Sequence, residues 1–270
     1  MTRHARRLPH VVLELAMIAV AALFIAPFVI LIKVALTKEQ PAGDSGLGLS
    51  NFATAWSEAE LGQALINSAV VAGLSVALLV AFGSAAAYVL ARRGSRLSTA
   101  LYLAVLLGLM IPLQLAMIPL YQLMNTLGLL QTYTSLIIFN TGTQLPFTIF
   151  LYASYIRALP GDFEEAAALD GAGPWRRFTR VVFPLLRPIT VTVIILDLID
   201  VWKDFLTPLL YTGGSPQQTL PVAIYSFRGE YTTEWGILFA GIIIAIIPVL
   251  IIYVGLQRFI INGFAGDIRG

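Results

Sequence analysis

The sequence contains no cysteine and only two histidines, His4 and His10, among its 270 residues. Disulfides, thiolate chemistry and cysteine-ligated metals are therefore excluded, and a histidine-ligated metal centre has too few ligands. Charged residues make up only 12% of the chain, about half of the roughly 25% typical of soluble domains. The net charge of +2 is small and the basic residues form short clusters, so no nucleic-acid partner is expected.

Apolar residues are abundant instead. Hydrophobic residues account for 58% of the chain, and the mean hydropathy is +0.83. Because a helix of about 20 apolar residues can cross a bilayer, the sequence predicts an all-α, polytopic membrane protein with six transmembrane helices. The predicted spans are about 11–32, 65–91, 99–121, 132–155, 188–211 and 236–256.

The basic residues predict the orientation of these spans. All of them fall on one side of a six-span arrangement except Lys33, Lys38, Lys203 and Arg228. Acidic residues gather on the other side: Glu39, Asp44, Glu58, Glu60, Glu230 and Glu234. Because basic loops stay in the cytoplasm, both termini are predicted to be cytoplasmic. "MTRHARR" before an apolar run also resembles a signal peptide, but the run exceeds the usual length of about 7–15 residues, so a retained first span is predicted.

The longest inner loop, residues 157–187, carries an unusual charged stretch, "EEAAALDGAGPWRRFTRVVFPL". Asp162 with Glu165 three residues later predicts a capping box at the start of a short helix. Gly171 lies where such a helix should end, and Pro174 suits the first turn of a second helix that Pro184 ends or kinks. An amphipathic loop lying on the membrane surface is the alternative interpretation.

The same stretch resembles a known motif. Glu165-Ala166-Ala167, three residues, Gly171, nine residues and then a segment ending in Pro184 resembles the EAA loop of ABC-importer permeases. Val181 and Phe183 stand where that family usually has Ile and Leu. "LDGAGPWRRFTRVVFPLLRP" is similar to the version found in carbohydrate-uptake systems.

The resemblance extends over nearly the whole chain. "LINSAVVAGLSVALLVAFGSAAAYVLAR" resembles the first core helix of the family, and "VWKDFLTPLLY" the W-N-D/E-F-L-W-P segment, with Lys203 in place of Asn. "LQRFIINGFAGDIRG" is similar to the tail of the second permease subunit in maltose-type systems. The resemblance implies a type I ABC-importer permease fold in one transmembrane domain, residues 1–270. This domain would comprise a first helix with an outer segment (1–60), core helices (61–256) and a cytoplasmic tail (257–270).

In that family the loop docks on a cytoplasmic ATPase. The resemblance implies that the ATPase-coupling residues are Glu164, Glu165, Ala166, Ala167, Leu169, Asp170 and Gly171. The sequence contains no G-x-x-x-x-G-K-[ST] motif, so the chain cannot bind ATP in a P-loop. The expected partners are a second, different permease, two ATPase subunits that carry ATP and Mg, and an extracytoplasmic solute-binding protein, in the bacterial inner membrane. No cofactor or metal is expected on this chain.

Ionisable residues within predicted span 5 mark a candidate substrate pathway. Asp197, Asp200 and Asp204 are spaced by three and four residues, which places them on one helix face beside Lys203. Ionisable groups in a membrane normally face a cavity or one another, so a solute pathway and a structural ion network both remain possible. Asn140 and Gln144, one turn apart in span 4, are the next candidates for the pathway, or else for interhelical hydrogen bonding.

These features predict the permease subunit of an ATP-driven importer for a neutral carbohydrate, without enzymatic activity of its own. Importers of glycerol phosphate or amino acids are alternatives within the same family. A membrane enzyme using the span-5 aspartates with a metal, and an ion-coupled secondary transporter, are alternatives from other classes. Lys203 beside the aspartates and the lack of a diphosphate-binding signature argue against the enzyme, and the secondary transporter would leave the EAA-like loop unexplained.

Overall fold

The computed structural model describes residues 7–38, 46–228 and 234–265. Glu39, Asp44 and Glu230, which were assigned above to the outer side, lie outside these ranges, as do the first six and the last five residues. The all-α prediction is confirmed. Within the described ranges the β structure is one antiparallel ladder, in which β1 (Thr37–Lys38) pairs with β2 (Gly46–Leu47).

The helices follow one another with short connections. The first half contains α1 Arg7–Leu36, α2 Ser50–Glu58, α3 Leu61–Leu78, a π-helical segment Leu79–Gly83, α4 Ser84–Arg92, α5 Arg96–Leu107, a 3₁₀ turn Gly108–Met110 and α6 Leu113–Thr126. The second half contains α7 Tyr133–Ala158, α8 Asp162–Leu169, α9 Pro174–Arg177, a π-helical segment Phe178–Val182, α10 Phe183–Leu185, α11 Arg187–Lys203, α12 Leu206–Thr212, α13 Leu220–Tyr225 and α14 Trp235–Ala265.

Four of these helical stretches are long and apolar enough to cross a membrane. They are Val11–Leu36, Leu61–Arg92, Tyr133–Ala158 and Trp235–Gly255. Two bent pairs bring the number to six if each pair counts as one span: Arg96–Met110 with Leu113–Thr126, and Pro174–Leu185 with Arg187–Lys203.

Predicted span 3 is not a straight helix. Its two halves meet at an angle of 99°, and the break falls at Ile111 and Pro112. Proline has no N–H for the helical ladder, and it forces the residue before it out of the helical region. Ile111 accordingly has φ −81° and ψ 118°, an extended conformation. Residues 99–121 therefore do not form the one straight helix expected from hydropathy alone.

The chain forms two compact units. The first contains residues 1–61 and 224–246. In it, the Asn51 side-chain amide donates to the carbonyl oxygens of Ala35 and Thr37, each at 2.9 Å, and so fastens α2 to the end of α1. Side chains 11–30 of α1 are exposed throughout, as expected for a helix whose surroundings are lipid or another subunit.

The second unit contains residues 62–223 and 247–270 and holds the main core. Its buried cluster joins α4, α5, α7 and the helices around Leu186, with Tyr152 and Ile156 of α7 fully enclosed. Asn67 of α3 is also fully buried. Its amide donates to the carbonyl oxygens of Pro216 and Gln218 at 2.8 Å, which satisfies the polar groups of an irregular segment within the unit.

Candidate functional site: the polar cavity and the charged loop

The predicted span-5 helix ends earlier than the hydropathy indicates. Residues 188–211 were predicted as one span, but α11 stops at Lys203 and α12 starts at Leu206. A helix continuing through this point would place the ring of Pro208 against the carbonyl of Asp204, and the hydrogen bond between them could not form. The helix therefore breaks at Asp204 and Phe205.

Asp204 takes a different role from the one predicted. Its Oδ1 atom accepts a hydrogen bond from the backbone N–H of Thr207 at 3.3 Å, which places Asp204 at the start of α12. Aspartate is favoured at helix starts because it satisfies a free N–H donor. The prediction that Asp204 shares a continuous helix face with Asp197 and Asp200 is wrong.

Asp200 and Lys203 form an ion pair on the last turn of α11. The Lys203 Nζ atom lies 2.8 Å from Asp200 Oδ1, and the two side chains are 69% and 55% exposed in this chain. Both side chains are accessible in this chain and border the cavities described next. Lys203 therefore neutralises Asp200 and not Asp204.

Two adjoining cavities lie between α7 and the α11–α12 break. The larger, of about 570 Å³, is bordered by Asn140, Gln144, Asp200, Lys203 and Asp204, among others. The smaller, of about 380 Å³, is bordered by Gln144, Asp197, Asp200 and Lys203. The structure thus brings all the predicted pathway residues to one region.

Thr143 borders both cavities as well and was missed in the sequence. Its spacing from Asn140, three residues along α7, was the signal that could have found it.

Asp197 lies at the inner wall of the smaller cavity. It is only 1% exposed, and its Oδ2 atom accepts a hydrogen bond from the Thr148 hydroxyl at 2.9 Å. The partner Thr148 lies on α7, 49 residues earlier in the chain. Nothing in the sequence around Thr148 indicated this contact.

The charged loop folds as helix, turn and helix. The capping box predicted at Asp162 is not formed, because Gly161 is the cap residue and makes no side-chain hydrogen bond. Asp162, Glu164 and Glu165 instead occupy the first turn of α8, where acidic side chains favour the positive end of the helix. Acidic side chains at the positive start of this helix were correctly anticipated, but the capping box was not formed.

Gly171 ends α8 as expected. Its φ is +79°, its N–H donates to the Ala168 carbonyl at 3.0 Å, and the next N–H, of Ala172, donates to the Ala167 carbonyl at 2.9 Å. These two bonds form a Schellman turn, which satisfies carbonyls that a helix end leaves free.

Pro174 begins the second helix of the loop, as predicted. The helical run Pro174–Leu185 then meets α11 at 76°. Pro184 lies near the end of this run, in α10, directly after a π-helical segment.

The side chains of α8 divide into two groups. Glu165, Ala166 and Leu169 are exposed, with Leu169 at 90%. Glu164 points inward and is only 9% exposed. It contacts Arg92 of α4, which was not singled out in the sequence.

A polar cavity among membrane-crossing helices, together with a helix presented by a charged loop, defines this chain as a transport permease. The chain belongs to the family described as binding-protein-dependent transport system inner membrane component, which it matches over residues 80–265. It is accordingly a membrane protein and a transport subunit.

Several named permeases are similar over most of the chain. The melibiose/raffinose/stachyose import permease protein MelC of Bacillus subtilis is 35% identical over 95% of this chain and 95% of that permease. The diacetylchitobiose uptake system permease protein NgcG of Streptomyces coelicolor is 38% identical, over 77% of this chain and 70% of that one. The multiple sugar-binding transport system permease protein MsmG of Streptococcus mutans is 36% identical, over 74% and 73% respectively.

Two solved structures share the fold. The first is a chain of a bacterial ABC transporter involved in the import of the acidic polysaccharide alginate. It is 19% identical with a TM-score of 0.82, and the match covers 96% of this chain and 98% of that chain. A chain of the bacterial alginate transporter in complex with an alginate pentasaccharide-bound periplasmic protein is 18% identical. Its TM-score is 0.68, and the match covers 95% of this chain and 96% of that one. The likeness shows that this chain shares the fold of these transporter chains.

Proposed function

We propose that this chain is the permease subunit of an ATP-driven importer and forms half of the translocation pathway for a neutral carbohydrate. The observation that carries the proposal is the polar cavity at the α11–α12 break, in a chain whose relatives are named as permeases for oligosaccharides. The amide, hydroxyl and carboxylate groups of this cavity can form hydrogen bonds with the hydroxyl groups of a sugar. These bonds replace those that the sugar loses when it leaves water.

The charge of the cavity favours a neutral solute. Asp197, Asp200 and Asp204 border the two cavities, and Lys203 is the basic residue that faces them. Lys203 is paired with Asp200, so an excess of acidic side chains remains. Charges of like sign repel strongly where water is scarce, and a sugar phosphate or another anion is therefore disfavoured.

The exposed side of α8 is the proposed contact with the ATPase. Glu165, Ala166 and Leu169 lie on one face, spaced by one turn or less, and Ala166 allows a close backbone approach. The Schellman turn at Gly171 ends this short helix before α9 begins at Pro174. The chain has no P-loop sequence, so ATP and Mg bind to a partner.

The remaining partners follow from the number of loops. One coupling loop engages one ATPase, so an importer with two ATPases needs a second permease. A different permease is expected, because the C-terminal sequence of this chain is similar to that of the second subunit in maltose-type pairs. A solute-binding protein outside the membrane delivers the sugar. The family description supports this partner.

Cysteine crosslinking tests the ATPase contact. This chain has no native cysteine, so a single introduced cysteine is its only crosslinking site. Leu169→Cys and Ala167→Cys should crosslink to the ATPase in membranes that contain the complete importer. Leu123→Cys on α6 is the control, since its side chain is also exposed, at 49%, but lies outside the loop. Crosslinks from the loop only to lipid or to the partner permease would refute the coupling role.

Uptake assays test the solute class. A panel of labelled melibiose, raffinose, a sugar phosphate and an amino acid should show uptake of a neutral sugar only, and only with all subunits present. A native substrate that proves to be a phosphate ester would contradict the proposal.

A further inference from the structure

Glu164 differs from every other acidic residue of the charged loop, because its side chain is buried. Its neighbours Asp162, Glu165 and Asp170 are exposed, whereas the Glu164 side chain retains 11% of its accessible surface. A buried carboxylate needs partners that replace its lost water. Glu164 therefore has a role inside the permease, on the face of α8 opposite to Leu169.

Both carboxylate oxygens of Glu164 are bound by side chains of α4. The Arg92 Nε atom donates to Oε1 at 2.7 Å, and the Tyr88 hydroxyl donates to Oε2 at 2.9 Å. The Arg92 Nη2 atom also donates to the Leu159 carbonyl at 3.2 Å, at the end of α7. Hydrogen bonds between ionised groups are short and roughly twice as strong as neutral ones. Together these contacts form a clamp, defined here as Glu164, Arg92 and Tyr88.

The clamp holds α8 against one end of a helix whose other end packs against Thr148. Tyr88 and Arg92 are one turn apart on α4, so they present the same face to Glu164. Toward its other end α4 continues into the π-helical segment Leu79–Gly83. At a rise of about 1.5 Å per residue, Gly83 lies roughly 14 Å from Arg92.

The far end of this helix contacts the residue that holds Asp197. At Gly83, a Cβ atom would lie only 2.5 Å from Thr148 Cγ2, which shows how closely the Thr148 side chain packs against the Gly83 backbone. Thr148 donates in turn to Asp197 at the cavity wall. Every step from Glu164 to the cavity is thus a direct contact between packed groups. Packed interiors transmit displacement because they have few voids.

We propose that Glu164 is a positioning residue that transmits movement of α8 through Arg92 and Tyr88 to α4 and the wall of the cavity. The inference rests on the proposed docking of α8 on an ATPase. Glu164 itself does not dock, because it faces away from the exposed side. Without the clamp, α8 remains able to bind the ATPase, but its movement no longer reaches the cavity.

The test measures the response of the cavity to the state of the ATPase. Thr143→Cys, which borders both cavities, is labelled with a water-soluble maleimide in the complete importer, with and without ATP plus vanadate. In the wild-type background the trapped ATPase should change the labelling rate. Glu164→Gln and Arg92→Gln should each reduce this change about tenfold or more, the scale of one charge-assisted hydrogen bond. Leu169→Cys should still crosslink to the ATPase in both variants.

Arg93→Gln is the matched control. It removes the neighbouring arginine from the end of α4, but the Arg93 side chain is exposed. It should leave the labelling response unchanged. Tyr88→Phe removes one hydroxyl and should give a smaller loss. This variant keeps the test decisive if Glu164→Gln does not fold.

A double variant tests whether Glu164 and Arg92 act as one unit. If Glu164 and Arg92 act through each other, Glu164→Gln with Arg92→Gln should be no worse than either single change. A wild-type labelling response in Glu164→Gln and Tyr88→Phe would overturn the inference. Loss of the Leu169→Cys crosslink in Glu164→Gln would also overturn it, since the clamp would then serve docking. A wild-type Leu169→Cys chain that does not crosslink refutes the docking proposal instead.

Discussion

Replacement of Gly171 by valine should uncouple the charged loop without unfolding the protein. Gly171 has φ +79°, a region that L-residues enter at a cost of roughly 1–2 kcal/mol. No atom lies within 4 Å of the position that a Cβ would take, so the strain comes from the backbone alone. If the turn unwinds instead, the two Schellman hydrogen bonds of Gly171 and Ala172 are lost, at about 1 kcal/mol each.

Both routes give a loss of about 1–2 kcal/mol, which shifts the equilibrium between formed and unformed turn by roughly 5–30-fold. Because the exposed turn lies at the end of α8, the loss should remain local. We therefore expect Gly171→Val to reduce uptake about fivefold or more while the amount of protein in the membrane stays normal. Gly171→Asn should retain more activity, since asparagine tolerates this conformation.

Gly173→Ala provides the control. Gly173 lies two residues away with equally open space around it, but its φ is −66°, which alanine adopts without strain. The assay is uptake of a labelled sugar by cells with the complete importer, normalised to the permease in the membrane. Normal uptake by Gly171→Val, or an equal loss in Gly173→Ala, would refute the argument from backbone conformation.

Three further predictions follow from the cavity and from the subunit's dependence on partners. Asp197→Asn and Asp200→Asn should alter transport but not membrane expression. Asparagine at position 197 can still accept the Thr148 hydrogen bond, and Asp200 is exposed, so its replacement leaves no buried group without a partner. Wild-type uptake in both variants would contradict the cavity assignment. Gly83→Ala should lower the free energy of unfolding by about 1–3 kcal/mol, because the added methyl group is overpacked against Thr148. Gly142→Ala on α7 should not lower it, because the space around Gly142 is open. Equal melting temperatures of the two variants would exclude the close packing at Gly83. The purified chain alone should neither hydrolyse ATP nor transport, and transport by it in liposomes would show that no second permease is needed.

Local features of the fold were readable because they depend on residues close together in the chain. Uninterrupted apolar runs predicted the long helices at 11–36, 61–92, 133–158 and 235–255, with errors of a few residues at their ends. Gly171 predicted the end of α8, because the turn needs a residue in the left-handed conformation and glycine adopts it without strain. Pro174 likewise marked the start of the next helix.

Hydropathy failed where one residue overrides an apolar run. Predicted spans 3 and 5 both contain a proline whose ring and missing N–H break the helical ladder, at Pro112 and before Pro208. Hydropathy averaged over about 20 residues is insensitive to one proline within the window. Asp204 was therefore assigned to a continuous helix face, although it starts a new helix.

The sequence by itself determined that this chain is an all-α membrane permease with a polar region in its fifth span and a helix–turn–helix loop. Each of these depends on composition, on spacing within one or two turns, or on a motif. Only the tertiary structure decided which side chains meet. Glu164 and Arg92 are 72 residues apart, and Thr148 and Asp197 are 49 apart. Such contacts arise because polar groups that packed helices bury need hydrogen-bond partners. The spacing of residues within one helix does not indicate which residue of another helix will be the partner.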